Sequence, residues 1–300
     1  MINLKEIKSR AAELLKKNFW RLLGCVLLVS LVSMAISYIG TNIFSEAPLV
    51  QILVYLINLY VSTALGIGLY KILFKIDEER DFSITDLFSF LPSIKECLLV
   101  YLLQLLLVII IMAISFFLGM IFFTSDFVNI YNSYPFISNN MMVNIVLSIL
   151  PKILLFILVI AGVSLVCDIF PALSMGIVAK EDEALKKNLF SNTFSIGFKN
   201  IKNYVLLNLW FLLLIIIACI PFFIVLFVGV GSESGFGVIL VLLVTILWII
   251  CIIVLSLYFS LAVAILFNRI LNSNNNDYKD VNDNLIEPKS YYDNDINENL

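Results

Sequence analysis

Six long apolar runs, at 22–39, 49–70, 98–123, 142–178, 205–230 and 238–267, constrain the fold of this chain more than any other feature. Each comes up to the roughly 20 residues that an α-helix needs to cross the hydrocarbon core of a bilayer. Soluble domains run to about half apolar and a quarter charged. This chain of 300 residues is 61% hydrophobic and 14% charged, with a mean hydropathy of +1.03. One water-soluble core cannot hide that surplus, so lipid must act as solvent for much of it. The predicted fold is an all-α integral membrane bundle of about six transmembrane helices. The last run is about 45 Å long as a helix, so it must tilt or protrude. The run 142–178 has room for one span and a short interfacial piece, with Pro151 as the expected break between them.

Charge placement orients the bundle. Every one of the 19 lysines and arginines except Lys152 falls in 1–21, 71–97, 179–204 or the segment after 267. The intervening connections 40–48, 124–141 and 231–237 hold none. Basic residues collect on the cytoplasmic side of membrane proteins. Both termini are therefore expected in the cytoplasm of a cell whose cytoplasmic membrane holds the chain.

The basic connections carry helical patterns of their own. In 1–21, Leu4, Ile7, Ala11, Leu14 and Leu15 recur at helical spacing among six cations, with Phe19 and Trp20 as an aromatic anchor. This predicts an amphipathic helix at the membrane surface. The long basic stretch and the lack of a small-residue cleavage site argue against a signal peptide. Ser83-Ile84-Thr85-Asp86 has the form of a capping box before the apolar face Ile84, Leu87, Phe88 and Leu91. Phe190, Phe194, Phe198 and Ile201 form a comparable stripe. An amphipathic segment thus leads each odd-numbered span, and the unit reads as a weak threefold repeat of segment plus hairpin. Residues 272–300 are acidic and rich in asparagine, which predicts a disordered cytoplasmic tail. The expected domains are the interfacial helix 1–21, the transmembrane domain 22–271 and the tail 272–300.

Many chemistries lack their residues. There is no histidine, which removes a Ser-His-Asp triad and an HExxH zinc site. The five cysteines form no CxxC pair and read as packed thiols. Gly231-Ser232-Glu233-Ser234-Gly235 has glutamate where a nucleophile elbow needs serine, and reads as a turn. No nucleotide-binding glycine loop occurs. The expectation is a non-enzyme without cofactor or metal, and without nucleic acid among its partners.

The candidate site residues are polar groups inside the apolar runs: Asp168, Lys152, Gln104 and Asn208. Ionisable groups inside a membrane mark ion or substrate pathways more often than other residues do. Asp168 and Lys152 lie about 24 Å apart along one helix, so they cannot pair within it. They either reach opposite interfaces, with Lys152 snorkelling, or Asp168 joins a polar pathway. The amides of Gln104 and Asn208, with those of Gln51 and Asn58, are expected to hydrogen-bond between helices. Ser62 and Gly66, with Gly68 beyond, predict a close helix contact.

Two stretches resemble a known family. Leu4-Lys5-Glu6-Ile7-Lys8-Ser9-Arg10-Ala11-Ala12 followed by Leu14-Leu15-Lys16-Lys17-Asn18-Phe19-Trp20 is similar to the amino-terminal signature of bacterial polytopic membrane proteins catalogued as domain of unknown function 975. Ala184 to Trp210, with Ser195-Ile196-Gly197-Phe198-Lys199, resembles its second recurring segment. The resemblance covers most of 1–267. It implies a bacterial cytoplasmic membrane location, and the family offers no catalytic residues to carry over. The expected role is a scaffold, accessory or protective one, through contact with the lipid bilayer, with another membrane protein or with a second copy. A transporter or channel subunit using the fourth span is the alternative.

Overall fold

The computed structural model describes residues 3–43, 47–133, 139–230 and 235–286. The described residues are 92% helical, with no strand among them. Helix α1 covers Leu4–Tyr38 and ends in a π-helical turn, Ile39–Ile43. Helix α2 covers Pro48–Asp77, and a 3₁₀ turn at Ile84–Phe88 leads to α3, Ile94–Ser133. Helices α4, Asn139–Cys167, and α5, Ile169–Ala179, follow end to end. The short α6, Glu183–Lys187, precedes α7, Leu189–Val230, and α8, Gly235–Ile286. Six stretches are long and apolar enough to cross a membrane, with α4 and α5 counting as one. Together they form the expected all-α multi-pass architecture. Arg269 of α8 pairs with Glu6 of α1 at 2.7 Å, so the first and last helices meet at one end of the bundle. The basic connections share that end, called here the charged end.

The packed core sits at the charged end. Its fully buried side chains include Ile7 of α1, Leu65 and Ile72 of α2, Leu103 of α3, Leu173 of α5 and Phe267 of α8. Phe267 stacks between Tyr204 and Tyr70, with ring centroids 5.8 and 6.4 Å away. No apolar side chain of 26–63, 108–168 or 212–256 is buried among the described residues. In hydrocarbon, apolar side chains gain nothing by leaving lipid for each other. Near water they do, so the tight core forms where the amphipathic segments bring apolar faces to the membrane boundary. Beyond it, the hairpins α1–α2, α3–α4 and α7–α8 present side chains such as Leu31, Ile121 and Phe227 outward, each more than 60% exposed.

Several expectations need correction. The segment 1–21 is no separate surface helix, because α1 runs unbroken from Leu4 into the first span. Its apolar face, Ile7, Ala11, Leu14 and Leu15, packs into the protein core rather than lying on lipid. Pro151 lies within α4 without ending it. The break comes at Asp168, because Pro171 has no N–H for the Cys167 carbonyl and its ring crowds that carbonyl. The boundary expected at 271 is crossed by α8, which continues to Ile286. Extending a formed helix needs no new nucleus. Residues 287–300 of the expected tail, and residues 231–234 of the glycine-rich turn, lie outside the described residues.

The local signals at the connections are realised in detail. Ser83 Oγ accepts from the Thr85 N–H at 3.3 Å, and Asp86 accepts from the Ser83 N–H at 2.8 Å, completing the capping box. Gly68 is where the small-residue pattern becomes necessary. A Cβ there would lie 2.1 Å from the Leu87 carbonyl oxygen, so α2 and the 3₁₀ turn touch backbone to backbone. Ser62 instead faces α1, with its hydroxyl 3.2 Å from that of Ser33.

Candidate functional site

The sequence candidates do not converge. No hydrogen bond or ion pair joins any two of Asp168, Lys152, Gln104 and Asn208 among the described residues. Lys152 pairs with Asp126 of α3, its Nζ lying 2.8 and 2.7 Å from the two carboxylate oxygens. This clasp ties α4 to α3 far from the packed core. Asp126 was not singled out in the sequence because it follows the third apolar run. An acid 26 positions before a lone cation, across one hairpin, was the available signal. Asp168 is exposed at the α4–α5 junction, where its N–H donates to the Ser164 carbonyl at 2.9 Å. Asn208 donates to the Tyr204 carbonyl one turn back at 3.1 Å, not to another helix. Gln104 is half-buried on α3. Asn58 does bond between helices, donating to Ser37 of α1 at 2.9 Å.

Instead, a polar cluster at the charged end joins four helices. Asp77, the last residue of α2, is nearly buried and accepts from Arg10 Nε of α1 at 2.7 Å and from Asn268 Nδ2 of α8 at 2.8 Å. Arg10 also donates to the Asp77 carbonyl. Asn268, 2% exposed, turns its oxygen to Lys180 Nζ at 2.5 Å. Lys180, just past α5, reaches Glu78 at 2.7 Å. The order of anion, amide and cation fixes the Asn268 amide, with its N–H₂ to the carboxylate and its oxygen to the ammonium. Burial pushes the Glu78 carboxyl up, but the hydrogen bond and charge of Lys180, with Arg80, outweigh it and hold it below its ordinary 4.5. Two cations face two carboxylates, so the cluster is internally balanced. It resembles a structural latch more than a reactive centre.

The α2 and α5 ends that supply this cluster match. Each helix stops at a capping residue, Glu78 or Lys180, and the next residue has a left-handed backbone, Glu79 at φ 54° and Glu181 at φ 59°. Each turn then leads into a short amphipathic helix, the 3₁₀ turn or α6. The turns are cross-linked, because Lys71 of α2 pairs with Glu181 at 2.5 Å while Lys180 holds Glu78. In the sequence Arg10 reads as one of the six cations of the amphipathic segment 1–21 and Lys180 as a charge of the 179–204 connection, while Asp77 and Asn268 carry no signal of their own. Asp77 and Lys180 stand at helix ends, where charge is ordinary, Arg10 lies two turns into α1 and Asn268 lies inside α8, and only tertiary packing brings the four together.

Away from the charged end, each hairpin carries an apolar cleft beside a polar group. Between α1 and α2 a cleft of about 530 Å³ is lined by Ser37, Gln51, Val54, Tyr55 and Asn58. On α3–α4 one of about 280 Å³ is lined by Phe123, Asp126, Phe127 and Ile153. On α7–α8 one of about 360 Å³ holds Asn208 and Ser256 among Leu212, Ile215 and Phe259. No group of three or more acidic or cysteine side chains able to hold a metal ion occurs among the described residues. Comparison with family models, with curated proteins and with solved structures finds no match.

Proposed function

We propose that the chain is a non-enzymatic protein of the cytoplasmic membrane, with both termini in the cytoplasm, that works through contacts with lipids or other membrane proteins. The observation that carries this reading is the division of the bundle. Its charged end is locked together by a connected polar cluster, while its hairpins beyond that end bury no apolar side chain among the described residues and carry apolar clefts. A latched base with exposed apolar hairpins suits a scaffold or accessory subunit, since the hairpins offer area to acyl chains or to a neighbouring helix. The family resemblance of 1–21 and 184–210 agrees with a bacterial location.

Crosslinking in native membranes followed by extraction tests this. The reading expects a reproducible adduct, either with a second copy or with one defined membrane protein. A chain that is solitary at every crosslinker length would overturn the protein-contact form. A solute pathway is the second reading, and one observation favours it: Asp168 stands at a break between two helix segments, an arrangement that transporters use at their binding sites. Asp168→Asn should then abolish a solute flux in proteoliposomes. Equal flux in both proteins, or none in either, excludes Asp168 from such a pathway.

A further inference from the structure

A pocket of about 210 Å³ lies between α1 and the turn that follows α2, at the level where the first span begins. Leu14, Ile76 and Phe82 contribute its apolar wall, and Lys17, Asn18, Arg21, Glu79, Arg80 and Asp81 supply the polar groups. Arg21 immediately precedes the apolar run 22–39. Its neighbour Trp20 is 78% exposed, as an indole anchored among headgroups would be. Ile84, just beyond the turn, is 58% exposed and points the same short segment at lipid. The pocket therefore opens in the headgroup layer rather than in hydrocarbon or bulk water.

Its charges are mixed in a definite way. Arg21 is held rigidly, since Nη2 donates to the Phe82 carbonyl at 2.7 Å and the guanidinium lies 4.0 Å over the Phe82 ring. A guanidinium has five N–H donors, so a fixed fork remains for an anion. Lys17 and Arg80 add two cations, paired with Glu13 at 2.8 Å and Glu78 at 3.3 Å. Two carboxylates share the lining. Glu79 lies 3.7 Å from Arg10, and Asp81 is exposed and forms no ion pair among the described residues.

We propose that this pocket binds the headgroup of an ethanolamine phospholipid, with the phosphate on Arg21, Lys17 and Arg80 and the ammonium on Asp81 and Glu79. A purely anionic headgroup would satisfy the cations and leave two carboxylates facing its phosphate. A choline headgroup carries the right charges but no N–H to donate. The primary ammonium has three donors for the two carboxylates. The inference rests on the proposed role through lipid contact and names the lipid class that the contact selects.

Delipidated full-length protein, titrated with ethanolamine, choline and glycerol phospholipids of identical chains and read by native mass spectrometry, tests the site. The ethanolamine lipid should be retained about tenfold better than either other class. Asp81→Asn, a change at an exposed side chain, should narrow the preference for ethanolamine over choline lipid, and Asp81→Ala with Glu79→Ala should bring the two to equal retention. Lys17→Gln with Arg80→Gln should weaken all three classes. Equal retention of all classes, preference for the glycerol lipid, or selectivity unchanged by Asp81→Asn would overturn the proposal. Displacement of the lipid by soluble phosphoethanolamine at equal concentration would overturn its membrane source. None of these results bears on the crosslinking outcome, so the site and the broader role fail separately.

Discussion

Asp77→Asn should loosen the charged end, and the geometry sets the size of the effect. The Asp77 carboxylate receives two donors, Arg10 Nε at 2.7 Å and Asn268 Nδ2 at 2.8 Å. An asparagine has one oxygen, so in either orientation its N–H₂ faces a donor. Asn268 cannot turn to help, because its oxygen holds Lys180 at 2.5 Å. An unsatisfied buried donor costs about 1–3 kcal/mol, and Asn268 is only 2% exposed. Arg10 keeps a side chain 37% exposed, so losing its ion pair adds at most about 1 kcal/mol after solvent screening. The expected total is about 3 kcal/mol, or about 5 °C in Tm for a chain of 300 residues. Thermal unfolding of the full-length protein in detergent micelles measures it, alongside Arg10→Gln and the double variant. The two single losses should exceed additivity by about 1 kcal/mol. Unfolding of Asp77→Asn within about 0.5 kcal/mol of the parent, or strict additivity in the cycle, would refute the latch.

Gly68→Ala should cost about 1–3 kcal/mol by forcing α2 off the Leu87 carbonyl. Gly24→Ala, whose Cβ would meet nothing within 4 Å, should be neutral or slightly stabilising in the same assay. Asp126→Asn alone should unfold at lower temperature than Asp126→Asn with Lys152→Met, since the single change strands the Lys152 ammonium; the reverse order would show that the clasp does not form. The acid limb of stability should involve Glu78 and Asp86. For Asp86, burial raises the carboxyl, but hydrogen bonds from Lys75 and the Ser83 N–H and the charges of Lys75 and Lys71 bring it below its ordinary 3.8. Both folded values are depressed, so their contribution is complete above the ordinary carboxylate range. It is lost as pH falls below 4.5 and then 3.8 through the folded values. Glu78→Gln with Asp86→Asn should flatten unfolding temperature against pH across that window.

Sequence alone carried the spans, because the periodic requirement of a bilayer leaves runs that composition cannot disguise. It also carried the capping box at Ser83–Asp86, a short-range pattern fixed by backbone donors. It placed the helix break wrongly at Pro151, although Pro171 was present with the same chemistry. It could not separate a helix that lies on lipid from one that lies on protein. Ile7, Ala11 and Leu14 make the same stripe in either case, and only the packing of α1 on α2 and α8 decides. The latch was hidden for a related reason. Asp77 and Lys180 stand 103 positions apart at helix ends where charge is expected, and Asn268 looks like any polar residue closing an apolar run. Candidates chosen for lying inside apolar runs were therefore drawn from the arms, whereas the connected polar network formed at the base.

The functional reading proposed above puts that base on the cytoplasmic side. Reporter fusions at residue 300 and in the connection between α3 and α4 measure it directly, using a reporter active only in the cytoplasm and another active only outside it. The account predicts cytoplasmic activity alone at residue 300 and external activity alone in the loop. The same activity at both positions, or the reverse assignment, would contradict six spans with a cytoplasmic latched base.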